Sequence, residues 1–155
     1  MINHVTISVD GSCYVNPGPG GYAAVLRVGE NTKEISGYVR TATNQQMELT
    51  ALIAGCSVLK CPCEIEVRYD STYIVNSFQK LDEYKKTRFI NEKGKLIPNA
   101  GLLVELDKLR QKHTFKFTKV KAHSGDKDNE RCDELAKKEW QKGFPFWECV
   151  EKLEG

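Results

Sequence analysis

Two aspartates each end a segment that alternates between apolar and polar residues, a pattern that predicts a β-strand. Asp10 ends the first such segment and precedes Gly11. Asp70 ends a later one and precedes Ser71. Ligands usually bind beyond the carboxyl ends of strands in an open sheet, so two carboxylates at such positions indicate a site. Aspartate before Gly or Ser is also ordinary turn chemistry, so both interpretations stay open for this pair.

Two further acidic residues lie in segments of helical periodicity. Glu48 is predicted in the first turn of a helix that carries Leu49 and Leu52, where an acid also favours the helix dipole. Asp133 is predicted inside the last helix beside Cys132, where a carboxylate is costly unless it is paired or bound to a cation. If the four acids converge, repulsion raises their pKa values and a divalent cation is needed. Oxygen-only ligands favour Mg²⁺ or Mn²⁺ over Zn²⁺.

The periodicity of the whole chain predicts an α/β domain. Residues 5–10 are expected to form a half-buried strand, and residues 16–21 a loop. Thr43 and Gln46 have the spacing of a capping box at the start of a helix. Further strands are predicted at 22–28, 33–41, 64–70 and around 115–119. Apolar positions within 49–59, 71–80, 102–109 and 132–140 mark helices, of which the first begins at the capping box and the last is opened by residues 126–129. This order indicates a five-stranded mixed sheet with flanking helices, in which strands 1–3 are antiparallel.

Length and composition restrict the classes of protein. With 155 residues, 40% hydrophobic and 28% charged, the chain supports one core and is neither disordered nor fibrous. It has no apolar run of the roughly 18 residues that a membrane helix needs, and no cleavable leader. We therefore expect a cytoplasmic protein without membrane contact, whose cysteines are thiols. The lone Cys61-Pro62-Cys63 motif indicates buried or turn thiols rather than a metal site.

Charge is unevenly distributed although the net charge is only +2. Residues 80–121 hold twelve basic and five acidic residues, so this part is expected to attract phosphates. The acidic remainder is expected to attract cations. A solvated surface of mixed charge explains most such asymmetries.

Five motifs in the same order resemble those of type 1 ribonuclease H, and the resemblance extends over residues 5–142. The motifs are Asp10-Gly11-Ser12, Thr43 to Leu49, Tyr69-Asp70-Ser71, Val120 to Gly125 and Asn129 to Ala136. The resemblance implies a ribonuclease H-like fold, with residues 1–143 as the catalytic domain. It also implies an endonuclease that hydrolyses the RNA strand of RNA–DNA hybrids and leaves 5′-phosphate and 3′-hydroxyl ends.

The resemblance assigns roles to five residues. Four of them match metal-binding carboxylates of the family: Asp10, Glu48, Asp70 and Asp133. Two Mg²⁺ ions per site are implied, with Mn²⁺ as an alternative; one prepares a water and the other stabilises the leaving 3′ oxygen. His123 matches a family histidine on a flexible loop that helps to order water and release product.

Contacts to the hybrid are also implied. Carboxylate and amide groups of Glu48, Asn44 and Gln45 are expected to read the 2′-hydroxyl of RNA, together with backbone at 11–13. Asn16 and Thr43 match positions that hold a DNA phosphate, although a turn residue and a helix cap are their local alternatives. The resemblance also implies a basic protrusion at residues 81–96, although in this chain acidic residues lie among its basic ones. The full set expected to bind nucleic acid is Gly11, Ser12, Cys13, Asn16, Thr43, Asn44, Gln45, Lys85, Lys86 and Arg88.

The sequence leaves two alternative functional classes. A related two-metal nuclease or integrase acting on DNA is disfavoured because Glu48 and the Asn44-Gln45 pair suit a 2′-hydroxyl. A catalytically silent nucleic-acid-binding domain is disfavoured because all four carboxylates are present.

We expect the protein to be a monomer. Residues 144–155 form a tail with the pattern of a short amphipathic helix, expected either to pack on the domain or to contact a replication protein.

Overall fold

A computed structural model describes residues 3–121 and 125–143. The predictions for His123 and for the tail at 144–155 lie outside these residues. No helix within the described ranges is long and apolar enough to span a membrane. The elements are β1 (Asn3–Cys13), β2 (Gly18–Val28), β3 (Asn31–Ala42), α1 (Asn44–Ser57), β4 (Cys63–Tyr69), α2 (Tyr73–Gln79), α3 (Leu81–Lys86), α4 (Ala100–Lys112), β5 (Thr114–Lys119) and α5 (Lys127–Gly143).

The five strands form one sheet in the order β3-β2-β1-β4-β5. β1 pairs antiparallel with β2, and β2 pairs antiparallel with β3. The pairs β1–β4 and β4–β5 are parallel. This topology confirms the predicted mixed sheet with antiparallel strands 1–3. It also brings the carboxyl ends of β1 and β4 to the same edge of the sheet.

β1 is buried on both faces, so the prediction of a half-buried strand was wrong. Val9 belongs to the core beneath α1 and α4, as its apolar character predicts. Side chains of the opposite parity are covered as well, since Ser8 is 1% exposed and Asp10 is 7% exposed. The cover on that face is α5, whose Cys132 and Ala136 pack against β2. Residues as small as Ser8 permit a helix to lie close to the sheet.

The end of β1 and the start of β2 also differ from prediction. β1 does not end at Asp10 but continues to Cys13. Its ladder with β4 ends at the Ser8–Arg68 pair, whereas its ladder with β2 continues through residue 13. β2 accordingly begins at Gly18, inside the predicted loop, with a register shift between residues 18 and 20. Pairing with β2 thus overrides the local turn signals.

The start of α1 follows the predicted capping box. Thr43 Oγ1 accepts a hydrogen bond from Gln46 N at 3.1 Å, and Gln46 Oε1 accepts one from Thr43 N at 2.9 Å. The helix begins at Asn44, so Glu48 is its fifth residue. The prediction that Glu48 lies in the first turn was wrong, and a favourable interaction with the end of the helix dipole does not explain this acid.

Removing the capping hydroxyl is expected to weaken α1 measurably. We expect Thr43→Ala to lower the free energy of unfolding by about 1 kcal/mol, because it leaves a helix N–H without its acceptor. Urea denaturation at one pH measures this change. Thr50→Ala is the control, since among the described residues the Thr50 hydroxyl bonds only to the Gln46 carbonyl of the same helix, and we expect a loss of about 0.5 kcal/mol or less. Equal effects of both substitutions would contradict the capping argument.

The cysteines of the described residues are free thiols, in agreement with the expectation from composition. They are Cys13, Cys56, Cys61, Cys63 and Cys132. The thiol of Cys63 donates to the Cys61 carbonyl at 3.2 Å, and Cys63 is buried at the start of β4. This arrangement fits the interpretation of the Cys61-Pro62-Cys63 motif as turn and core thiols.

Candidate active site

The register of the sheet places Asp10 and Asp70 at equivalent positions. The β1–β4 ladder ends at the pair Ser8–Arg68, and each aspartate lies two residues further along its chain. Side chains two positions apart in a strand point to the same face of the sheet, so both carboxylates lie on the face that α5 covers. Asp133 is a half-buried residue of α5. The two strand ends and this helix therefore deliver three acids to one place.

Electrostatics show that these acids interact. Burial raises the pKa of Asp10 to about 8, and repulsion by Asp70 and Asp133 adds to the effect. Burial also raises the pKa of Asp70, with repulsion by Asp133 acting in the same direction. Asp10 and Asp133 are additionally joined by a side-chain hydrogen bond. Carboxylates held this close in a buried site strongly favour a bound proton or cation.

Glu48 reaches the same cluster from α1. Burial raises the pKa of Glu48 to about 7; a hydrogen bond from Ser71 opposes this rise and repulsion by Asp70 adds to it. The close approach of α1 depends on Gly11, because a Cβ there would lie 2.6 Å from the Glu48 backbone nitrogen and from the Met47 carbonyl carbon. The structure thus brings together all four acids that the sequence singled out.

The donor set suits a hard divalent cation. All four candidate ligands are carboxylates, and oxygen donors without nitrogen or sulfur favour Mg²⁺ or Mn²⁺. Within residues 3–121 and 125–143, Glu48 Oε2 is buried without a hydrogen-bond partner. Lys137 Nζ lies 3.1 Å from the Asp133 carboxylate, but at 50% side-chain exposure it neutralises the cluster only weakly. Across the described residues, no three acidic, cysteine or histidine side chains are already placed as a metal cage.

An amide network holds the segment that follows Asp10. Asn44 Oδ1 accepts from Cys13 N at 3.1 Å, and Asn44 N donates to Asn16 Oδ1 at 3.1 Å. Gln45 is exposed beside this network at the start of α1, and Thr43 caps the same helix. The predicted hybrid contacts of the first 45 residues therefore form one surface beside the acidic cluster.

The basic protrusion has a structure that its weak periodicity did not predict. α3 is a short helix, and the segment after it folds back through a bridge between Ile90 and Leu96. Lys85 is paired with Asp107 of α4 at 3.2 Å. Lys86 and Arg88 are exposed. The charge of the exposed Lys85 is thus partly offset by an ion pair to the domain.

Sequence reasoning missed two contacts that position the cluster. Arg68 is paired with Asp126, whose carboxylate accepts from Asn129 N at 2.9 Å and so caps α5. This link fixes the end of β4 against the helix that carries Asp133. In addition, Lys119 Nζ donates to the Asp70 carbonyl at 3.1 Å. The capping pattern at Asp126 was readable from the sequence, but its pairing across the sheet was not.

Comparison with known proteins gives the family. The RNase H family model matches residues 2–141. The ribonuclease H of Moorella thermoacetica is 43% identical over 138 residues, which cover 88% of this chain and 91% of that protein. The chain belongs to the ribonuclease H family. The ribonuclease H of Chlorobium luteolum is 41% identical over 144 residues, covering 92% of this chain and 99% of that protein.

A solved structure supports both fold and family. LC11-RNase H1 in complex with RNA/DNA hybrid matches with a TM-score of 0.71 and 26% sequence identity, covering 90% of this chain and 98% of that one. The mixed five-stranded sheet is therefore a ribonuclease H fold. Since the relatives are ribonuclease H enzymes, the chain is an enzyme of this type.

Proposed function

We propose that this ribonuclease H is an endonuclease that cleaves the RNA strand of RNA–DNA hybrids and leaves 5′-phosphate and 3′-hydroxyl ends. The clustering of Asp10, Asp70 and Asp133 carries the proposal, because a buried set of mutually repelling carboxylates suits binding of divalent ions. The hybrid bound to LC11-RNase H1 supports the class of substrate.

The proposed mechanism uses two Mg²⁺ ions held by the four carboxylates. When bound, such ions supply an activated water and stabilise the leaving 3′ oxygen. Both Asp70 and Asp133 repel the Asp10 carboxylate, so Asp10 would hold the bound ions together with these two residues. The hydrogen bond from Ser71 favours the ionised form of the Glu48 carboxylate and so lowers its pKa, against the effect of burial. For His123 we propose the family role in ordering water and releasing product.

Recognition of RNA is assigned to the surface beside the cluster. We assign the 2′-hydroxyl to the Glu48 carboxylate; its Oε2 has no hydrogen-bond partner among the described residues but is buried, so the side chain must turn to make this contact. Asn44 fixes the Cys13 backbone at 3.1 Å, so this segment meets the RNA strand in a preformed shape. We assign the DNA-strand phosphate to Thr43 and Asn16, which the start of α1 holds nearby.

A comparison of substrates tests the proposed function. End-labelled RNA–DNA hybrid, RNA duplex and DNA duplex are each incubated with the protein in Mg²⁺, in Mn²⁺ and in chelator. We expect metal-dependent cleavage of the RNA strand of the hybrid alone. Cleavage of DNA duplex would favour the DNA nuclease alternative. Hybrid binding without cleavage in either metal would favour the silent binding domain.

The basic protrusion gives a further expected result. Each phosphate contact contributes about one unit to the slope of log affinity against log salt. We expect Lys86→Ala to reduce this slope by nearly one unit and Lys85→Ala to reduce it less, because Asp107 already pairs with Lys85 at 3.2 Å. Hybrid binding without divalent metal, titrated with salt, measures both slopes. Equal slopes for the two variants would contradict this ranking.

A further inference from the structure

Trp140 links the helix that carries Asp133 to the segment that follows Asp10. It lies seven residues after Asp133 on α5, about two turns or 10 Å along the same face. Its ring is buried, with only 7% of the residue exposed. The indole Nε1–H donates to Ser12 Oγ at 3.3 Å, and the ring lies 5.4 Å from that of Tyr14 at an angle of 41°.

The contact is supported from both layers of the fold. Ser12 pairs with Gly21 of β2, and a Cβ at Gly21 would lie 1.9 Å from the Ala136 carbonyl oxygen. The backbone of α5 therefore lies directly on the strand beside Ser12. From the opposite layer, Asn44 holds Cys13 N at 3.1 Å. The segment after Asp10 is thus held between α1 and α5.

The direction of the hydrogen bond determines what Ser12 can offer a ligand. A serine hydroxyl has one donor hydrogen and two acceptor lone pairs, whereas an indole N–H can only donate. Accepting from Trp140 uses a lone pair of Ser12 Oγ and turns its O–H away from the indole. The Ser12 hydroxyl is thereby oriented as a hydrogen-bond donor. An acceptor oxygen of the RNA strand is the complementary group beside the carboxylate cluster.

We propose that Trp140 is a positioning residue that orients the Ser12 hydroxyl to donate to an oxygen of the RNA strand. The inference rests on the proposed function, since it names a contact of the same site. The acceptor is a 2′-oxygen or a non-bridging phosphate oxygen. Trp140 acts through Ser12 and does not itself touch the substrate.

Conservative variants separate this role from packing. Trp140→Phe retains an aromatic ring against Tyr14 but has no N–H, and Ser12→Ala removes the hydroxyl. We expect each to raise KM for the hybrid about 3- to 10-fold while kcat changes by less than about 2-fold, the scale of one hydrogen bond. The double variant is expected to match Ser12→Ala, because both changes remove the same contact.

Controls distinguish positioning from lost stability. Leu109→Ala removes apolar packing from α4 and is expected to lower the urea midpoint without changing KM. Additive effects of Trp140→Phe and Ser12→Ala on KM would overturn the proposal, as would an unchanged KM in Trp140→Phe. If the wild-type protein does not cleave hybrid, the proposed function itself fails. Wild-type cleavage with an unaffected Trp140→Phe enzyme refutes only the role of Trp140.

Modified substrates identify the acceptor. Hybrids carrying a single 2′-deoxy nucleotide, or a single methylphosphonate, at each position around the cleavage site are compared for wild type and Trp140→Phe. Loss of the KM difference with one 2′-deoxy substitution assigns the 2′-oxygen. Loss with one methylphosphonate assigns a phosphate oxygen. A difference that persists with every substrate would show that Ser12 donates to neither, and would overturn the proposal.

Discussion

Asp10→Asn is expected to abolish cleavage and, in metal-free buffer, to make the protein more stable than the wild type. Loss of this proposed metal ligand should lower kcat at least about 1,000-fold, since metal stabilisation of the transition state is worth several kcal/mol. The same substitution removes a carboxyl group whose ionised form is disfavoured by burial and by repulsion from Asp70 and Asp133. Activity and stability therefore change in opposite directions.

The stability gain depends on pH, with a sign that follows from the pKa of Asp10. Its folded value of about 8 lies above its ordinary value of 3.8, so the native state keeps a proton that the unfolded chain releases between these values. The free energy of unfolding of the wild type consequently falls as pH rises through this window. Asparagine does not titrate. The advantage of Asp10→Asn should accordingly be larger at the upper end of the window than at its lower end.

Urea denaturation in chelator, at pH values near the two ends of this window, measures the effect. Asp107→Asn is the matched control, because that carboxylate is paired with Lys85 at 3.2 Å and Arg110 at 2.7 Å. Asp107→Asn weakens these partly buried ion pairs and should therefore lower the free energy of unfolding. A destabilising effect of Asp10→Asn at the upper pH would contradict the claim that repulsion among these carboxylates destabilises the metal-free wild type. Added Mg²⁺ should reverse the order of stability of Asp10→Asn and wild type.

Local patterns in the sequence were sufficient to predict most of the elements. The capping box at Thr43 and Gln46 marks the start of α1 because both of its hydrogen bonds lie within four residues. Alternation at 64–70 predicts β4, whose observed burial alternates in the same way. Asp70 was found at the strand end because β4 stops where its apolar alternation stops.

Features that depend on distant partners were not predictable in this way. The ladder from β1 to β4 stops at Ser8, yet pairing with β2 carries β1 on past Asp10. Burial of the polar face of β1 depends on α5, more than a hundred residues away. The contact of Trp140 with Ser12 likewise joins residues 128 positions apart. Periodicity reports which faces are apolar, but not which polar side chains meet.

Gly11→Ala is expected to impair catalysis without removing any functional group. The added Cβ would lie 2.6 Å from the Met47 carbonyl carbon, the Glu48 nitrogen and Met47 Cβ. Backbone atoms cannot rotate away, so α1 must move by several tenths of an ångström or more. Misplacing a catalytic group by about 1 Å can cost about 100-fold in rate, and we expect a loss in kcat of that order. Overpacking should also lower the free energy of unfolding by about 1–3 kcal/mol.

Gly101→Ala separates the steric effect of Gly11→Ala from the general effect of adding a methyl group. A Cβ at Gly101 meets open space in the first turn of α4, so this change should leave kcat unaltered and be neutral or stabilising by up to about 1 kcal/mol. Measuring kcat and urea denaturation for both variants completes the comparison. Unchanged kcat in a destabilised Gly11→Ala protein would mean that Glu48 tolerates displacement from Asp10. Loss of kcat would show that the approach of α1 to β1, which only glycine permits, sets the geometry of the carboxylate cluster.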